Sequence, residues 1–217
     1  MKPLNDCRLY TFVDTAYLPG RNPVAVVRQL CDGGSDIIQL RAKQESADDI
    51  RRMAELIVPV TQAAGVWFVI NDHLDIARAV GAEICHLGQE DFFDAGNKHV
   101  GELKVQSSKL QIGLSTHAPE QCARAVAAGA DYVAIGPVYS TGTKPTAKPV
   151  TLDYVRWAAA NVSIPWFAIG GINLQTLDDV LEAGARRVCV VSAILNAPDI
   201  AAECRKYRAR LDGTAAE

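Results

Sequence analysis

The sequence predicts an α/β protein built as a single-domain (βα)8 barrel, the TIM-barrel architecture. Three features of its 217 residues support this fold class. Apolar runs of strand length recur eight times, helix-like segments separate most of them, and small residues end several of these helices. Short, continuously apolar strands that alternate with helices are typical of a parallel sheet covered on both faces. Eight repeats in a chain of this length favour a closed barrel over an open, doubly wound sheet.

The eight predicted strands are short and apolar over most of their length. In chain order they are Leu9–Val13, Asp36–Leu40, Trp67–Ile70, Ile84–Leu87, Gln111–Leu114, Tyr132–Ile135, Trp166–Ile169 and Val188–Val191. Between most of them, apolar residues recur at three- and four-residue spacing, which is the periodicity of a helix with one buried face. The predicted helices are Pro23–Cys31, Ala47–Ala64, Leu74–Val80, Glu120–Ala128, Leu152–Ala160, Leu174–Ala183 and Ile200–Leu211.

Glycine and alanine mark the ends of several predicted helices. A glycine after the last helical turn can adopt the left-handed conformation that ends a helix. These steps are Gly33-Gly34, Gly65, Gly81-Ala82, Gly129-Ala130 and Gly184-Ala185. They indicate the loops that lead from each helix to the next strand, and they carry information about fold only.

One segment breaks the alternation. Phe92–Leu110 has no clean apolar stripe and is predicted as a loop with one helix. No linker or low-complexity tract divides the chain. Residues 1–211 are therefore predicted to form the single barrel domain, and residues 212–217 are predicted to be a disordered tail.

The composition is that of an ordinary globular protein, with 49% hydrophobic and 22% charged residues. A net charge of −3 gives no support for nucleic-acid binding. No apolar stretch approaches the roughly 18 residues of a membrane span, and the first residues lack a signal core, so we expect a cytoplasmic protein. Six cysteines without a C-x-x-C pair favour reduced, partly buried thiols over a metal or nucleophile site. The sequence leaves homo-oligomer formation open.

Basic and amide side chains follow the second predicted strand. Gln39, Arg41 and Lys43 have the same parity, so on an extended segment their side chains point to one side. An arginine fork and a lysine point charge suit phosphate oxygens. The alternative is a solvated strand end with scattered charges. In a barrel of this kind, active sites lie at the carboxyl ends of the strands, which favours the phosphate interpretation.

Two acidic residues follow the third and fourth predicted strands. Asp72 and Asp91 come from neighbouring strands, so their carboxylates are expected to converge. Two hard oxygen donors suit Mg²⁺ that is held jointly with substrate phosphates. The alternatives are an N-cap role for Asp72 and an ordinary loop carboxylate for Asp91.

Glycine and small polar residues follow the seventh and eighth strands. Gly170-Gly171 and Val191-Ser192 precede predicted helices, where open backbone N–H groups form a phosphate site. A Gly-Gly pair can equally serve as a tight turn. Together with the basic site near strands two to four, this gives the chain two predicted sites for anionic groups. Two such sites are expected in a protein that joins or cleaves two phosphorylated small molecules.

The ordered set of strand-end motifs closely resembles the thiamine-phosphate synthase family. The motifs are Gln39-Leu40-Arg41-x-Lys43, Asn71-Asp72, His86-Leu87-Gly88-Gln89-Glu90-Asp91, Gly113-Leu114-Ser115-Thr116-His117, Gly136-Pro137-x5-Thr143-Lys144, Ile169-Gly170-Gly171-Ile172 and Val191-Ser192. The resemblance runs from about Leu9 to about Leu195. It implies a (βα)8 barrel that joins an aminopyrimidine diphosphate to a thiazole phosphate, releases pyrophosphate and forms thiamine phosphate. It also implies dissociative chemistry, in which the diphosphate leaves before the thiazole nitrogen attacks.

The resemblance assigns roles residue by residue. The pyrimidine diphosphate would be bound by Gln39, Arg41, Lys43, Asn71, Ser115 and Lys144. The thiazole phosphate would be bound by Thr141, Gly142, Thr143, Gly171, Val191 and Ser192. Mg²⁺, the implied cofactor, would be held by Asp72 and Asp91.

Two other functions remain open at this stage. A thiazole tautomerase shares the barrel but would not need the complete diphosphate site. A sensor would bind thiazole phosphate or thiamine phosphate without turnover. His86 is expected to be a hydrogen-bonded structural residue rather than a proton shuttle.

Overall fold

A computed structural model describes residues 1–104, 109–142 and 149–213. Eight strands close into a barrel in sequence order, and helices separate them, so the predicted fold class is confirmed. The strands are β1 Leu9–Asp14, β2 Ile37–Arg41, β3 Trp67–Asn71, β4 Ile84–Gly88, β5 Gln111–Thr116, β6 Tyr132–Ile135, β7 Trp166–Ile169 and β8 Val188–Val190. Every strand pair with a described register runs parallel.

The helices agree with the predicted segments to within three residues wherever one was predicted. They are α1 Pro23–Asp32, α2 Ala47–Ala64, α3 Leu74–Val80, α4 Gln89–Asp94, α5 Pro119–Ala127, α6 Thr151–Asn161, α7 Leu177–Glu182, α8 Ser192–Leu195 and α9 Ile200–Gly213. The start of α7 differs most from its prediction. The side chain of Asn173 accepts hydrogen bonds from the backbone N–H groups of Gln175 and Thr176, and this turn delays the helix.

The chain divides into two compact units. The first unit comprises Met1–Cys85 and Val190–Glu217, and the second comprises His86–Cys189. The predicted domain boundary at residue 211 stays a prediction. Helix α9 continues to Gly213, and residues 214–217 lie outside the described residues.

In the first unit, local signals set the helix bounds and a buried acid ties strand ends together. Helix α2 begins after Ser46, whose hydroxyl accepts from the N–H of Asp49, and ends at Gly65 with a φ of 69°. Asp36, just before β2, accepts from the backbone N–H groups of Arg8 and Leu9 at 2.6 and 3.0 Å. The same carboxylate forms two ion pairs, of 2.6 and 2.7 Å, to basic side chains near the two ends of the chain.

In the second unit another acid, Asp131, has the role that Asp36 has in the first. Asp131 follows Gly129-Ala130 and accepts from the N–H of Ile112, at the start of β5, at 2.7 Å. Its carboxylate also lies 2.6 Å from the ammonium of Lys104. Acids that follow a helix-ending glycine therefore satisfy the first N–H groups of a neighbouring strand, which secures the amino-terminal ends of the sheet.

The segment Phe92–Leu110, predicted as a loop with one helix, contains the end of α4 and a separate 3-10 turn. Helix α4 begins before Phe92, and a 3-10 turn covers Val100–Leu103. The ring of His99 accepts from the N–H of Gly101, while Glu102 accepts from the N–H of His99. Residues 105–108 of this segment lie outside the described residues. Pieces this short cannot show a helical apolar stripe, which is why periodicity did not reveal them.

The cysteines behave as predicted. None of the six forms a disulfide, and five of them are buried. Burial raises the pKa of the Cys31 thiol to about 11 and that of the Cys204 thiol to about 12. Among the described helices, none is long and apolar enough to cross a bilayer.

Candidate active site

Gln39 and Arg41 share a face of β2, as predicted, and both have partners on β1, whereas Lys43 lies beyond the end of this strand. Gln39 is 2% exposed, and its Nε2 donates to the hydroxyl of Tyr10 at 2.6 Å. Two residues along, Arg41 Nη1 donates to Asp14 Oδ2 at 2.6 Å. Both contacts lie on one face of the β1–β2 pair, because alternate residues of a strand share a face.

Asp14 is a residue that the sequence prediction missed. It is the last residue of β1 and stands opposite Arg41 in the β1–β2 register. Its side chain is 1% exposed, while that of Arg41 is 15% exposed. A polar residue at the end of a strand was the available signal, but the predicted site began only at the second strand.

Lys43, Asn71 and Asp72 form a hydrogen-bonded group at the ends of β2 and β3. Asp72 Oδ2 accepts from Lys43 Nζ at 2.5 Å and from Asn71 Nδ2 at 2.6 Å. Asp72 has a φ of 66°, an unusual backbone conformation for a residue with a side chain. Such outliers concentrate at functional sites.

The N-cap alternative for Asp72 is wrong. The N-cap of α3 is His73, and no side-chain hydrogen bond caps this helix. The Asp72 carboxylate accepts hydrogen bonds instead from Lys43, in the loop after β2, and from Asn71, the last residue of β3. The side chains of Lys43 and Asp72 are 49% and 30% exposed, so an incoming ligand can reach both.

Asp91 lies in the first turn of α4 and is exposed. Its carboxylate turns back toward the residue before the helix, since a Cβ added at Gly88 would lie 2.5 Å from Asp91 Oδ2. Asp91 belongs to the second unit and Asp72 to the first, so their convergence stays a prediction.

The donor chemistry of the two aspartates fits Mg²⁺. This ion keeps several waters and takes one or two protein carboxylates together with substrate phosphates. No group of three or more His, Cys, Asp and Glu side chains suited to a metal occurs in the described parts of the chain. Mg²⁺ that keeps several waters and binds substrate phosphates does not need such a group.

In the second unit, β5 and β6 end in a network that fixes their carboxyl ends. Ser115 pairs in register with Ala134, next to Thr116, whose hydroxyl donates to the carbonyl of Ala134 at 3.0 Å. His117 Nδ1 lies 2.5 Å from the carbonyl oxygen of Gly136. The backbone that carries Ser115 is thereby held in place.

Tyr154 extends this network from α6. Its hydroxyl lies 2.7 Å from that of Thr116 and donates to the carbonyl of Ala118 at 2.8 Å. Burial raises the pKa of the Tyr154 hydroxyl well above its usual value, so this group stays protonated. It serves as a structural donor.

The loop after β6 runs along the end of β7 and lies against Gly170 and Gly171. Val138 N–H donates to the carbonyl of Ile169 at 2.8 Å, and Tyr139 N–H donates to that of Gly170 at 3.0 Å. Gly171 has a φ of 68°, and a Cβ there would lie 2.7 Å from the carbonyl oxygen of Ser140. Thr141 and Gly142 directly follow Ser140 in the chain.

Four other residues were predicted to bind a phosphate group: Val191, Ser192, Thr143 and Lys144. Val191 and Ser192 begin α8 in the first unit, and both are half-buried. The carboxyl end of α8 is anchored, because Arg21 Nη1 donates to the carbonyl of Leu195 at 2.6 Å. Thr143 and Lys144 lie outside the described residues.

His86 fits the structural role predicted for it. It is buried on β4, and its Nδ1 lies 2.9 Å from the hydroxyl of Tyr132. The two rings stack with centroids 5.6 Å apart. Tyr132 in turn lies over Gly113, where a Cβ would come within 2.1 Å of the ring.

Three comparisons with known proteins agree. Residues 9–194 match the family model described as thiamine monophosphate synthase. The chain is 46% identical over 184 residues to a thiamine-phosphate synthase of Thermus thermophilus, and the aligned region covers 84% of this chain and 86% of that one. It is 38% identical over 205 residues to a thiamine-phosphate synthase of Lawsonia intracellularis, with 94% and 92% covered. A thiamine phosphate pyrophosphorylase from Pyrococcus furiosus superposes with a TM-score of 0.85 at 28% identity, covering 97% and 98% of the two chains.

Proposed function

The chain belongs to the thiamine monophosphate synthase family, and we propose from this that it makes thiamine phosphate. It would couple 4-amino-2-methyl-5-(diphosphooxymethyl)pyrimidine with a thiazole phosphate and release pyrophosphate. The observation that carries this proposal is the polar group at the ends of β2 and β3. Arg41, Lys43, Asn71 and Asp72 lie at consecutive strand ends, and Lys43, Asn71 and Asp72 are joined by hydrogen bonds.

The basic side chains would act on the leaving diphosphate. Arg41 offers several N–H donors in a planar fork, and the exposed ammonium of Lys43 can turn toward a phosphate. Negative charge develops on the diphosphate as its bond to the pyrimidine methylene breaks. Preorganised cations that meet this charge lower the barrier. Asn71, Ser115 and Lys144 would complete the pyrimidine diphosphate site.

Asp72 and Asp91 would hold Mg²⁺. When bound, the ion would neutralise part of the diphosphate charge and so favour its departure. Asp72 accepts hydrogen bonds from Lys43 and Asn71, so these two side chains hold its carboxylate at the strand end.

The thiazole phosphate would be received by backbone groups. Gly171, Thr141 and Gly142 would offer N–H groups and a hydroxyl, and Val191 with Ser192 would offer the start of α8. Thr143 would join them. Holding the thiazole nitrogen ready for the methylene cation supplies much of the remaining acceleration, because the second step becomes intramolecular.

A single incubation distinguishes the three candidate functions. Purified protein is supplied with both substrates, with and without Mg²⁺, and the products are separated by chromatography. Coupled thiamine phosphate that depends on the metal supports the proposal. Isomerised thiazole alone would point to a tautomerase, and binding without turnover would point to a sensor.

Lys43→Ala and Asp91→Ala test the proposed chemistry. Each is expected to lower turnover by roughly 10²-fold or more, since Lys43→Ala removes a positive charge that would meet the leaving group and Asp91→Ala removes a proposed ligand of the Mg²⁺. Asp153→Asn is a matched control, because Asp153 is 87% exposed and forms an ion pair with Arg156 across one helical turn. Near-normal rates in both alanine variants would refute the mechanism. The cytoplasmic location stays a prediction.

A further inference from the structure

On the basis of the function proposed above, we propose that β1 is a positioning strand for the pyrimidine diphosphate. Neither Asp14 nor Tyr10 is among the ligand-binding residues predicted from the sequence. Each is hydrogen-bonded to one that is: Asp14 to Arg41, and Tyr10 to Gln39. In this assignment both act through their β2 partners and do not touch the substrate.

Asp14 is fixed from two sides. Its Oδ2 lies 2.6 Å from Arg41 Nη1, and its Oδ1 accepts from the backbone N–H of Ala16 at 3.1 Å. The second bond caps the 3-10 turn Thr15–Tyr17, so the turn after β1 orients the carboxylate. A carboxylate that is 1% exposed is costly without a cation beside it. The guanidinium of Arg41 is therefore held against Asp14.

Among the residues that the structure describes, this contact leaves most of the Arg41 guanidinium available to bind an anion. The guanidinium has five N–H donors in a rigid plane, and the contact to Asp14 uses Nη1. Fixing one corner of the plane fixes the direction of the other donors. The Lys43–Asp72 pair is different, because its side chains are 49% and 30% exposed. Arg41 is thus the preorganised cation of the site and Lys43 the adaptable one.

Tyr10 positions the side-chain amide of Gln39, as Asp14 positions the guanidinium of Arg41. Tyr10 is 1% exposed, and its ring stacks on that of Phe12 with centroids 5.2 Å apart, which restricts the hydroxyl to one position. Gln39 Nε2 donates to that hydroxyl. Because the nitrogen of the Gln39 amide donates to Tyr10, the amide oxygen points away from Tyr10. In that position the oxygen can accept a hydrogen bond from an exocyclic amine on a pyrimidine ring.

The two positioning residues should therefore affect opposite ends of one substrate. The test measures binding of sodium pyrophosphate in magnesium chloride by calorimetry, together with the KM for each substrate. Asp14→Asn is expected to raise the pyrophosphate Kd and the KM for the pyrimidine diphosphate by roughly tenfold or more, since it frees a binding group from its position. Tyr10→Phe should raise that KM but leave the pyrophosphate Kd unchanged, because pyrophosphate has no ring. Neither variant should change the KM for thiazole phosphate.

Three controls separate positioning from a merely structural role. Asp153→Asn removes an exposed carboxylate and should change none of these constants. In an Arg41→Ala background, Asp14→Asn should cause no further loss of pyrophosphate affinity. If Asp14→Asn does not fold, Asp14→Glu keeps the charge but moves it by one methylene, and it should give a smaller loss.

Several results would overturn the proposal. They are wild-type pyrophosphate affinity in Asp14→Asn, an equal further loss in the Arg41→Ala background, and no pyrophosphate binding by the unaltered protein. Failure of the proposed function gives a different result, namely that the unaltered protein binds pyrophosphate but forms no thiamine phosphate. The calorimetric comparison of the Asp14 variants would still decide the role of Asp14 in that case.

Discussion

Gly171→Ala is expected to impair thiazole phosphate use because it acts on two features at once. Gly171 has a φ of 68°, a left-handed conformation that costs a residue with a Cβ about 1–2 kcal/mol. The added Cβ would also lie 2.7 Å from both the carbonyl oxygen of Ser140 and the Cβ of Tyr139. To reach an ordinary contact of 3.4 Å, the loop after β6 must withdraw by about 0.7 Å.

This withdrawal would move Thr141 and Gly142, which directly follow Ser140. A displacement of about 1 Å in a positioning group can cost roughly 10²-fold in rate. We therefore expect kcat/KM for thiazole phosphate to fall by about 10- to 100-fold, while the pyrophosphate Kd stays near its wild-type value.

Gly65→Ala is the matched control. Gly65 has a φ of 69°, and apart from its two chain neighbours no described residue has an atom within 4 Å of the position that its Cβ would take. It therefore carries the same backbone cost without the contact. Steady-state kinetics and urea unfolding of both variants check the prediction. Equal losses of stability with unchanged thiazole phosphate kinetics in Gly171→Ala would refute the role of the loop contact.

Three further predictions concern the buried acid, the thiols and the metal. Asp36→Asn should lower the free energy of unfolding by about 3 kcal/mol, because it leaves buried N–H groups and two basic side chains without their carboxylate. Urea unfolding checks this value. The control variant Asp153→Asn should change the free energy of unfolding by less than about 0.5 kcal/mol. Burial raises the pKa of the Cys85 and Cys204 thiols from 9.0 to about 12. The contribution of the protonated thiols to the free energy of unfolding is therefore complete below pH 9 and is lost as the pH rises toward 12. Thiol titration at pH 8 should accordingly be slow in the native protein and reach all six cysteines after denaturation; fast native reaction at the buried thiols would contradict this. Chelation of Mg²⁺ should abolish coupling but leave the melting temperature of the ligand-free protein unchanged.

Local periodicity predicted most of the fold. Ala47–Ala64, Leu74–Val80 and Tyr132–Ile135 were predicted with the bounds that the structure has. Their signals are contained in the segments and the residues beside them: an apolar stripe in the two helices, an apolar run in the strand, and a glycine directly after each segment. Prediction failed where a side chain altered the backbone, as Asn173 does before α7, or where the element was too short for periodicity, as in α8.

The strand-end residues also predicted the family and the transferase class, which the comparisons confirm. The roles of the individual residues stay predictions. What the sequence did not predict is which partner each residue has. Lys43 and Asp72 are 29 residues apart, and Asp14 and Arg41 are 27 apart, so no local pattern links them.

The sequence by itself determined the order of strands and helices and the chemical types at the strand ends, because both follow from short-range patterns of burial and charge. The tertiary structure alone decided that Arg41 is held by a buried carboxylate, that Asp72 binds Lys43 instead of capping α3, and that Gly171 lies under the loop after β6. These contacts depend on register and on the path of loops between strands, and parallel pairing joins residues that are far apart in the chain.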